Sequence, residues 1–121
     1  MTEVLDLPAL QRRLKGKKNR LVRLAAVYAQ FYQDQLADIA SAVSRADSQA
    51  LCQAAHTFKG TVLTFEASQA VELALELENR GRQGQLEGAA GLLERLQQEA
   101  ERLRAELEAL VSDSEAWPCV F

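Results

Sequence analysis

The chain has little proline, cysteine and histidine. Its 121 residues include two prolines, two cysteines and one histidine. Cys52 and Cys119 lie far apart and lack the spacing of metal ligands, so we expect reduced thiols and no metal site. The scarcity of proline, together with many Ala, Leu, Glu, Gln and Arg residues, favours an all-α protein.

The sequence also lacks long apolar runs and a large excess of either charge. No run approaches the roughly 20 apolar residues that a bilayer-spanning helix needs, and the first residues lack the basic and apolar regions of a secretory signal. The formal net charge is −3 and the pI is about 5.2, which gives no electrostatic case for nucleic acid. We therefore expect a cytoplasmic protein that binds neither membranes nor nucleic acid.

Apolar residues recur at three- and four-residue steps along most of the chain, which predicts amphipathic helices. A length of 121 residues suits one domain with one continuous core. Four long helices joined by short turns predict an antiparallel up-and-down four-helix bundle, with a short extra N-terminal helix at one end. The predicted helices cover about residues 6–14, 19–45, 48–65, 68–82 and 85–111, and the tail 112–121 shows no helical pattern.

Three details of this bundle can be predicted from the sequence: one helix break and two core stripes. The glycines Gly81 and Gly84 are expected to break the helix that begins near residue 68. The predicted core stripe of the 19–45 helix comprises Leu21, Leu24, Tyr28, Phe31, Tyr32, Leu36, Ile39 and Val43. The last helix has a near-heptad stripe of Leu86, Ala90 or Leu93, Leu96, Ala100, Leu103, Leu107 and Leu110.

The one histidine, His56, falls in the predicted 48–65 helix, with Lys59 three and Gly60 four positions later. These offsets return to the same helix face. On a helical wheel His56 lies about 160° from the core residue Phe58, so it should point away from the core. Glycine costs a helix roughly 1 kcal/mol relative to alanine, and close approach of another molecule is a physical reason to keep Gly60.

The string His56-Thr57-Phe58-Lys59-Gly60 resembles the H-x-[LF]-K-G signature of histidine-containing phosphotransfer (HPt) domains of bacterial phosphorelays. The resemblance extends from about residue 4 to residue 110. It includes Val4-Leu5-Asp6, Leu10, Phe31, Ala67, Leu73, Leu77–Glu78 and the break at Gly81–Gly84. Glu66 stands where the family usually has glycine, and Thr64 where it commonly has asparagine. Without that glycine, we expect the histidine helix to run on or to bend differently at this join.

The resemblance implies a role for each residue of the site. Nε2 of His56 would accept the phosphoryl group, and Glu78, 22 positions later, would accept the Nδ1–H hydrogen bond and orient the ring. Lys59 would stabilise the phosphoryl charge, and Gly60 would give the partner access. The expected docking surface is the uncharged patch of Cys52, Gln53, Thr57, Leu63 and Thr64.

The sequence has no glycine-rich phosphate loop and no lysine-plus-Mg²⁺ ligand set, so we expect no ATP-dependent kinase activity. The resemblance therefore implies a monomeric phosphorelay intermediate. It would accept a phosphoryl group on His56 from the receiver domain of a hybrid sensor kinase and pass it to the aspartate of a response-regulator receiver. The chain itself would bind no cofactor, and Mg²⁺ is expected in the partner receiver domain.

Other interpretations of the same residues stay open. Cys52 and His56 could share a metal, although zinc needs three or four ligands, or could form a nucleophile and base without an oxyanion hole. Glu78 could be an ordinary exposed helix glutamate that pairs with Arg82. The main alternative function is a non-catalytic helical adaptor, whose last helix binds partner helices through its heptad-like stripe. An adaptor would not depend on His56.

Overall fold

In the computed structural model, which describes residues 3–112, the chain forms five helices joined by short turns. They are α1 (Leu7–Arg13), α2 (Lys18–Ser44), α3 (Ser48–Leu63), α4 (Ser68–Gln83) and α5 (Ala89–Ser112). Residues 3–112 contain no strand. Helices α3 and α5 each pack against both α2 and α4. This confirms the all-α four-helix bundle with a short extra N-terminal helix. The first residue of the predicted irregular tail 112–121, Ser112, belongs to α5, and the rest of that tail lies outside the described residues.

The first helix and the histidine helix each begin at an aspartate that caps the helix. The side chain of Asp6 accepts a hydrogen bond from the Ala9 N–H at 3.1 Å, and Pro8 lies in the first turn of α1, where its missing N–H does no harm. In the same way Asp47 accepts from the Ala50 N–H at 3.1 Å and starts α3. Both caps fix where the chain enters a helix.

The near-heptad stripe of α5 faces the interior of the bundle. Its members Leu96, Ala100, Leu103, Leu107 and Leu110 are all buried, and so is Leu93, whereas Ala90 is exposed. The helices that cover this stripe are α2 and α4. The adaptor hypothesis was inferred from this stripe, which is not available to a partner helix.

One aromatic residue of the predicted α2 stripe is not in the core. Phe31 is 45% exposed, whereas the adjacent Tyr32 is buried. Neighbouring residues on a helix point about 100° apart, and in this pair Tyr32 faces inwards and Phe31 outwards. Tyr32 stacks on Tyr28 at a ring-centroid distance of 4.9 Å, and the hydroxyl of Tyr28 donates to the carbonyl of Ala100 at 2.8 Å. Leu24 and Val43, at the edges of the stripe, are half-buried.

Of the two outcomes expected at the turn between α3 and α4, a helix that runs on is wrong. Helix α3 ends at Leu63, because Glu66 itself adopts the left-handed conformation, with φ at 57°. Its N–H donates to the Leu63 carbonyl at 3.0 Å, which closes the helix end. The carbonyl of Glu66 accepts from the Asp6 N–H at 2.9 Å, and its carboxylate pairs with Arg13 at 3.2 Å. Glu66 therefore also attaches α1 to the bundle.

Helix α5 begins at Ala89, four residues later than predicted, so Leu86 of the predicted stripe precedes the helix. Gly84 and Gly88 both have left-handed backbones, with φ at 69° and 81°, and two such residues interrupt a right-handed helix across the segment between them. The predicted break after α4 therefore begins at Gly84. Gly81 was wrongly assigned to it, because this residue lies inside α4 and is buried.

Candidate functional site

The imidazole of His56 and the carboxylate of Glu78 meet on the surface between α3 and α4. Nδ1 of His56 lies 3.1 Å from Oε2 of Glu78. The two side chains differ sharply in exposure, since that of His56 is 66% exposed and that of Glu78 only 5%. The imidazole therefore points into solvent, as the helical wheel predicts, and is held at one nitrogen by a buried group.

Glu78 is surrounded by basic side chains as well as by the imidazole. Nζ of Lys59 lies 2.7 Å from Oε1, and a guanidinium nitrogen of Arg82 lies 2.8 Å from Oε2. Burial raises the pKa of Glu78, but the contacts with Lys59 and His56 outweigh it and hold this pKa below its ordinary value. The carboxylate is therefore ionised at neutral pH.

The charge on Glu78 determines which nitrogen of His56 carries the proton. An ionised carboxylate can only accept hydrogen bonds, so Nδ1 of His56 must be the donor in the 3.1 Å contact. In the neutral ring this leaves the lone pair on Nε2, on the side away from Glu78. A neutral imidazole fixed in this tautomer is a nucleophile whose reactive nitrogen faces solvent.

The residues predicted to admit a partner lie on α3 to either side of His56 and differ in exposure. Gly60 is exposed, and a Cβ built there would meet no atom within 4 Å. Gln53 and Thr57 are exposed and line a groove of about 340 Å³ between α2 and α3. The predicted docking residue Leu63 is 46% exposed and Thr64 is half-buried.

Cys52 differs from the other predicted docking residues, because it is half-buried and its backbone lies against α4 at Gly81. Within residues 3–112 no group of three or more His, Cys, Asp or Glu side chains could hold a metal ion. A metal site built on Cys52 and His56 therefore has no further ligand in this part of the chain.

Sequence reasoning placed Glu78 correctly opposite His56 but missed features around it. The interpretation of Glu78 as an exposed glutamate is wrong, although its pairing with Arg82 does occur. Phe31 was assigned to the core, yet with Thr61 and Thr64 it lines an apolar groove of about 170 Å³ between α2 and α3. The adjacent aromatic pair in the sequence was the available signal, since two neighbours on a helix point about 100° apart and do not face the core equally.

No helix within residues 3–112 is both long enough and apolar enough to cross a bilayer.

Comparisons with known proteins agree with this geometry. A family model described as the Hpt domain matches residues 23–110. Among solved structures, the chain is similar to the histidine-containing phosphotransfer protein B (HptB) from Pseudomonas aeruginosa PAO1. The TM-score is 0.85 at 24% identity, over 93% of this chain and 97% of that chain, a likeness that shows the common fold. No curated protein sequence matches the chain significantly.

Proposed function

Because the chain belongs to the Hpt domain family, we propose that His56 carries a phosphoryl group between receiver domains. One observation supports this most directly. The imidazole is 66% exposed, while its Nδ1 is held 3.1 Å from a buried carboxylate. A histidine that only stabilised the fold would need neither an exposed ring nor a buried carboxylate that fixes one of its nitrogens. A nucleophile that must meet a second protein needs both.

The proposed reaction is a transfer between an aspartate of the partner and His56. The lone pair on Nε2 attacks the phosphorus of the partner's phospho-aspartate, so that a nitrogen–phosphorus bond forms as the aspartyl oxygen–phosphorus bond breaks. The aspartate leaves as a carboxylate, and the ring, still protonated on Nδ1, becomes positively charged. Glu78, at 3.1 Å from Nδ1, stabilises that charge. Transfer to the next aspartate is the same step in reverse.

Lys59 supplies the charge that the phosphoryl oxygens need. Its ammonium group pairs with Glu78 at 2.7 Å, and its side chain is 24% exposed, so it can exchange between the carboxylate and an arriving phosphoryl group. Ammonium suits this role because it acts as a compact point charge. Arg82, at 2.8 Å from the same carboxylate and 59% exposed, is a second cation beside the ring.

We further propose that the donor is the receiver domain of a hybrid sensor kinase and the acceptor that of a response regulator. Such a partner would bring the Mg²⁺ and the reactive aspartate, and this chain would supply the histidine without kinase activity of its own. The proposed docking surface lies on the α2 side of His56. It comprises the open backbone at Gly60, the exposed Leu63 and Phe31, and the polar Gln53, Thr57 and Thr64.

The test is transfer from a phosphorylated receiver domain to the wild-type chain and to His56→Gln. We expect a label on the wild type that is acid-labile and alkali-stable, and no label on the variant. A matched control moves the histidine to Gln49, which is exposed two turns earlier on α3, by combining Gln49→His with His56→Gln.

The control separates exposure from the site itself. If the relocated histidine takes label as fast as His56, exposure alone is sufficient and the Glu78 contact has no role. If several phosphorylated receivers give no label to a folded wild type, the carrier function is wrong.

A further inference from the structure

Gly81 brings the backbone of α4 against the backbone of α3. A Cβ at this position would lie 2.5 Å from the backbone nitrogen of Cys52, 2.7 Å from the carbonyl oxygen of Ser48 and 2.9 Å from Cα of Cys52. All three are main-chain atoms, so no side-chain rotation could relieve the overlap. The two helices can approach this closely only because residue 81 is glycine.

This contact lies next to the functional site. Gly81 is three residues after Glu78, and Cys52 is four residues before His56, which is about one helical turn in each case. Since α3 and α4 are antiparallel neighbours, the contact of Gly81 with Cys52 and that of Glu78 with His56 are successive levels of one interface. The helix separation at the first level therefore determines the separation at the second.

We propose that Gly81 is a positioning residue, which sets the distance between α3 and α4 so that Glu78 reaches Nδ1 of His56. Its consequence for phosphotransfer rests on the function proposed above. To move a Cβ from 2.5 Å to even 3.0 Å from Cys52, the helices must separate by about 0.5 Å. Transmitted one turn along, that shift lengthens the 3.1 Å contact to roughly 3.6 Å, which is no longer a hydrogen bond.

Flexible side chains cannot easily restore the contact. Glu78 is 5% exposed and also holds Lys59 at 2.7 Å, so its carboxylate is confined by packing and by a second partner. A side chain confined in this way follows its own helix when the helix moves. We therefore expect the Nδ1–H tautomer of His56 to lose its preference when α4 is displaced.

The test compares Gly81→Ala with Gly91→Ala. Gly91 is also a helical glycine, but a Cβ there meets nothing within 4 Å, so it controls for the change in helix propensity. Because His56 is the chain's one histidine, nitrogen NMR of the imidazole reports its tautomer without interference. We expect G81A to lose the predominance of the Nδ1–H tautomer and, with the loss of one hydrogen bond to a charged group, to transfer phosphate about 10-fold or more slowly. G91A should match the wild type in both measurements.

A folded G81A protein with wild-type tautomer and transfer rate would overturn the proposal. If G81A does not fold in buffer, the same spectra are recorded for G81A/G91A in a stabilising osmolyte. A protein still unfolded there also overturns it, since the glycine then serves the fold and not the site. If the wild type itself accepts no phosphoryl group, the proposed function fails, but the tautomer comparison still decides the role of Gly81.

Discussion

Replacing Glu78 tests the reasoning about the site most directly, because one carboxylate contacts three functional side chains. Glu78→Ala removes the acceptor for His56, Lys59 and Arg82 together. Glu78→Gln keeps the shape of the side chain and an amide oxygen that can accept from Nδ1–H, but it removes the negative charge. The two variants therefore separate the hydrogen bond to His56 from the ion pairs with Lys59 and Arg82.

The expected loss of stability is moderate, because no charge is left stranded in the interior. The side chains of Lys59, Arg82 and His56 are 24%, 59% and 66% exposed, so each can turn to water when the carboxylate is removed. What is lost is two ion pairs of up to about 1 kcal/mol each and burial of methylene groups at about 0.8 kcal/mol each. Relief from burying a carboxylate offsets part of this loss.

We expect Glu78→Ala to lower the free energy of unfolding by about 2 kcal/mol and Glu78→Gln by about 1 kcal/mol at pH 7. Urea denaturation followed by circular dichroism measures both. Because the pKa of Glu78 is lowered in the folded state, its charge stabilises the fold above the ordinary glutamate pKa. This stabilisation is lost as the pH falls through the lowered value. The difference between wild type and Glu78→Gln should therefore shrink below about pH 4.

The rates of phosphotransfer should differ between the two Glu78 variants, although both lack the negative charge. Without an acceptor for Nδ1–H the ring is no longer fixed, and we expect Glu78→Ala to transfer about 10- to 100-fold more slowly, the equivalent of one hydrogen bond to a charged group. Glu78→Gln should stay within a few-fold of the wild type, because its amide oxygen still accepts. The reasoning is refuted if Glu78→Ala transfers at the wild-type rate, or if Glu78→Gln is as slow as Glu78→Ala.

Three further predictions concern single positions. Gly60→Ala adds a methyl group in open space, so it should raise the unfolding free energy by about 0.5–1 kcal/mol and yet weaken receiver binding, which calorimetry measures. The control Gly91→Ala should stabilise the fold without changing receiver binding. Equal receiver binding by the two variants would contradict the access role of Gly60. Lys59→Gln should slow phosphotransfer about 10-fold in a rate assay, since a hydrogen bond to a charged group is worth roughly 1.5 kcal/mol or more. Arg82 is the more exposed of the two cations, so Arg82→Gln should slow the same transfer less. Ala46 is exposed and has a left-handed backbone with φ at 53°, which costs an alanine about 1–2 kcal/mol. This cost exceeds the stability lost when glycine makes the unfolded chain more flexible, so Ala46→Gly should raise the urea midpoint. A lower urea midpoint would show that the turn is not strained.

Most of the fold could be predicted because the helical spacing of apolar residues is visible in a single sequence. Each helix of a four-helix bundle must bury one stripe, and the spacing of apolar residues shows where that stripe lies. Spacing does not show what a glycine is for. Gly81 and Gly84 look alike in the sequence, yet Gly81 permits a contact between α3 and α4, whereas Gly84 ends α4 with a left-handed backbone.

The residues of the functional site could be predicted from the sequence, but the burial of Glu78 could not. The wheel places His56 on the outer face of α3, and the resemblance to HPt domains pairs it with Glu78. Neither shows that Glu78 is buried, because burial depends on how closely α3 and α4 approach at Gly81. The same holds for Glu66, whose left-handed backbone and contact with Arg13 depend on a helix that packs from elsewhere in the chain.

The charges around Glu78 are suited to a group that arrives and leaves again. A phosphoryl group on Nε2 would bring about two negative charges to the surface and would place a positive charge on the ring. Glu78 could then satisfy the ring, while Lys59 and Arg82, now paired with the carboxylate at 2.7 and 2.8 Å, turn towards the phosphoryl oxygens. Cations that exchange between two acceptors hold neither one permanently. A phosphoryl carrier needs such cations because it must also release the phosphoryl group. In a site that only retained phosphate, the cations would pair with the phosphate alone.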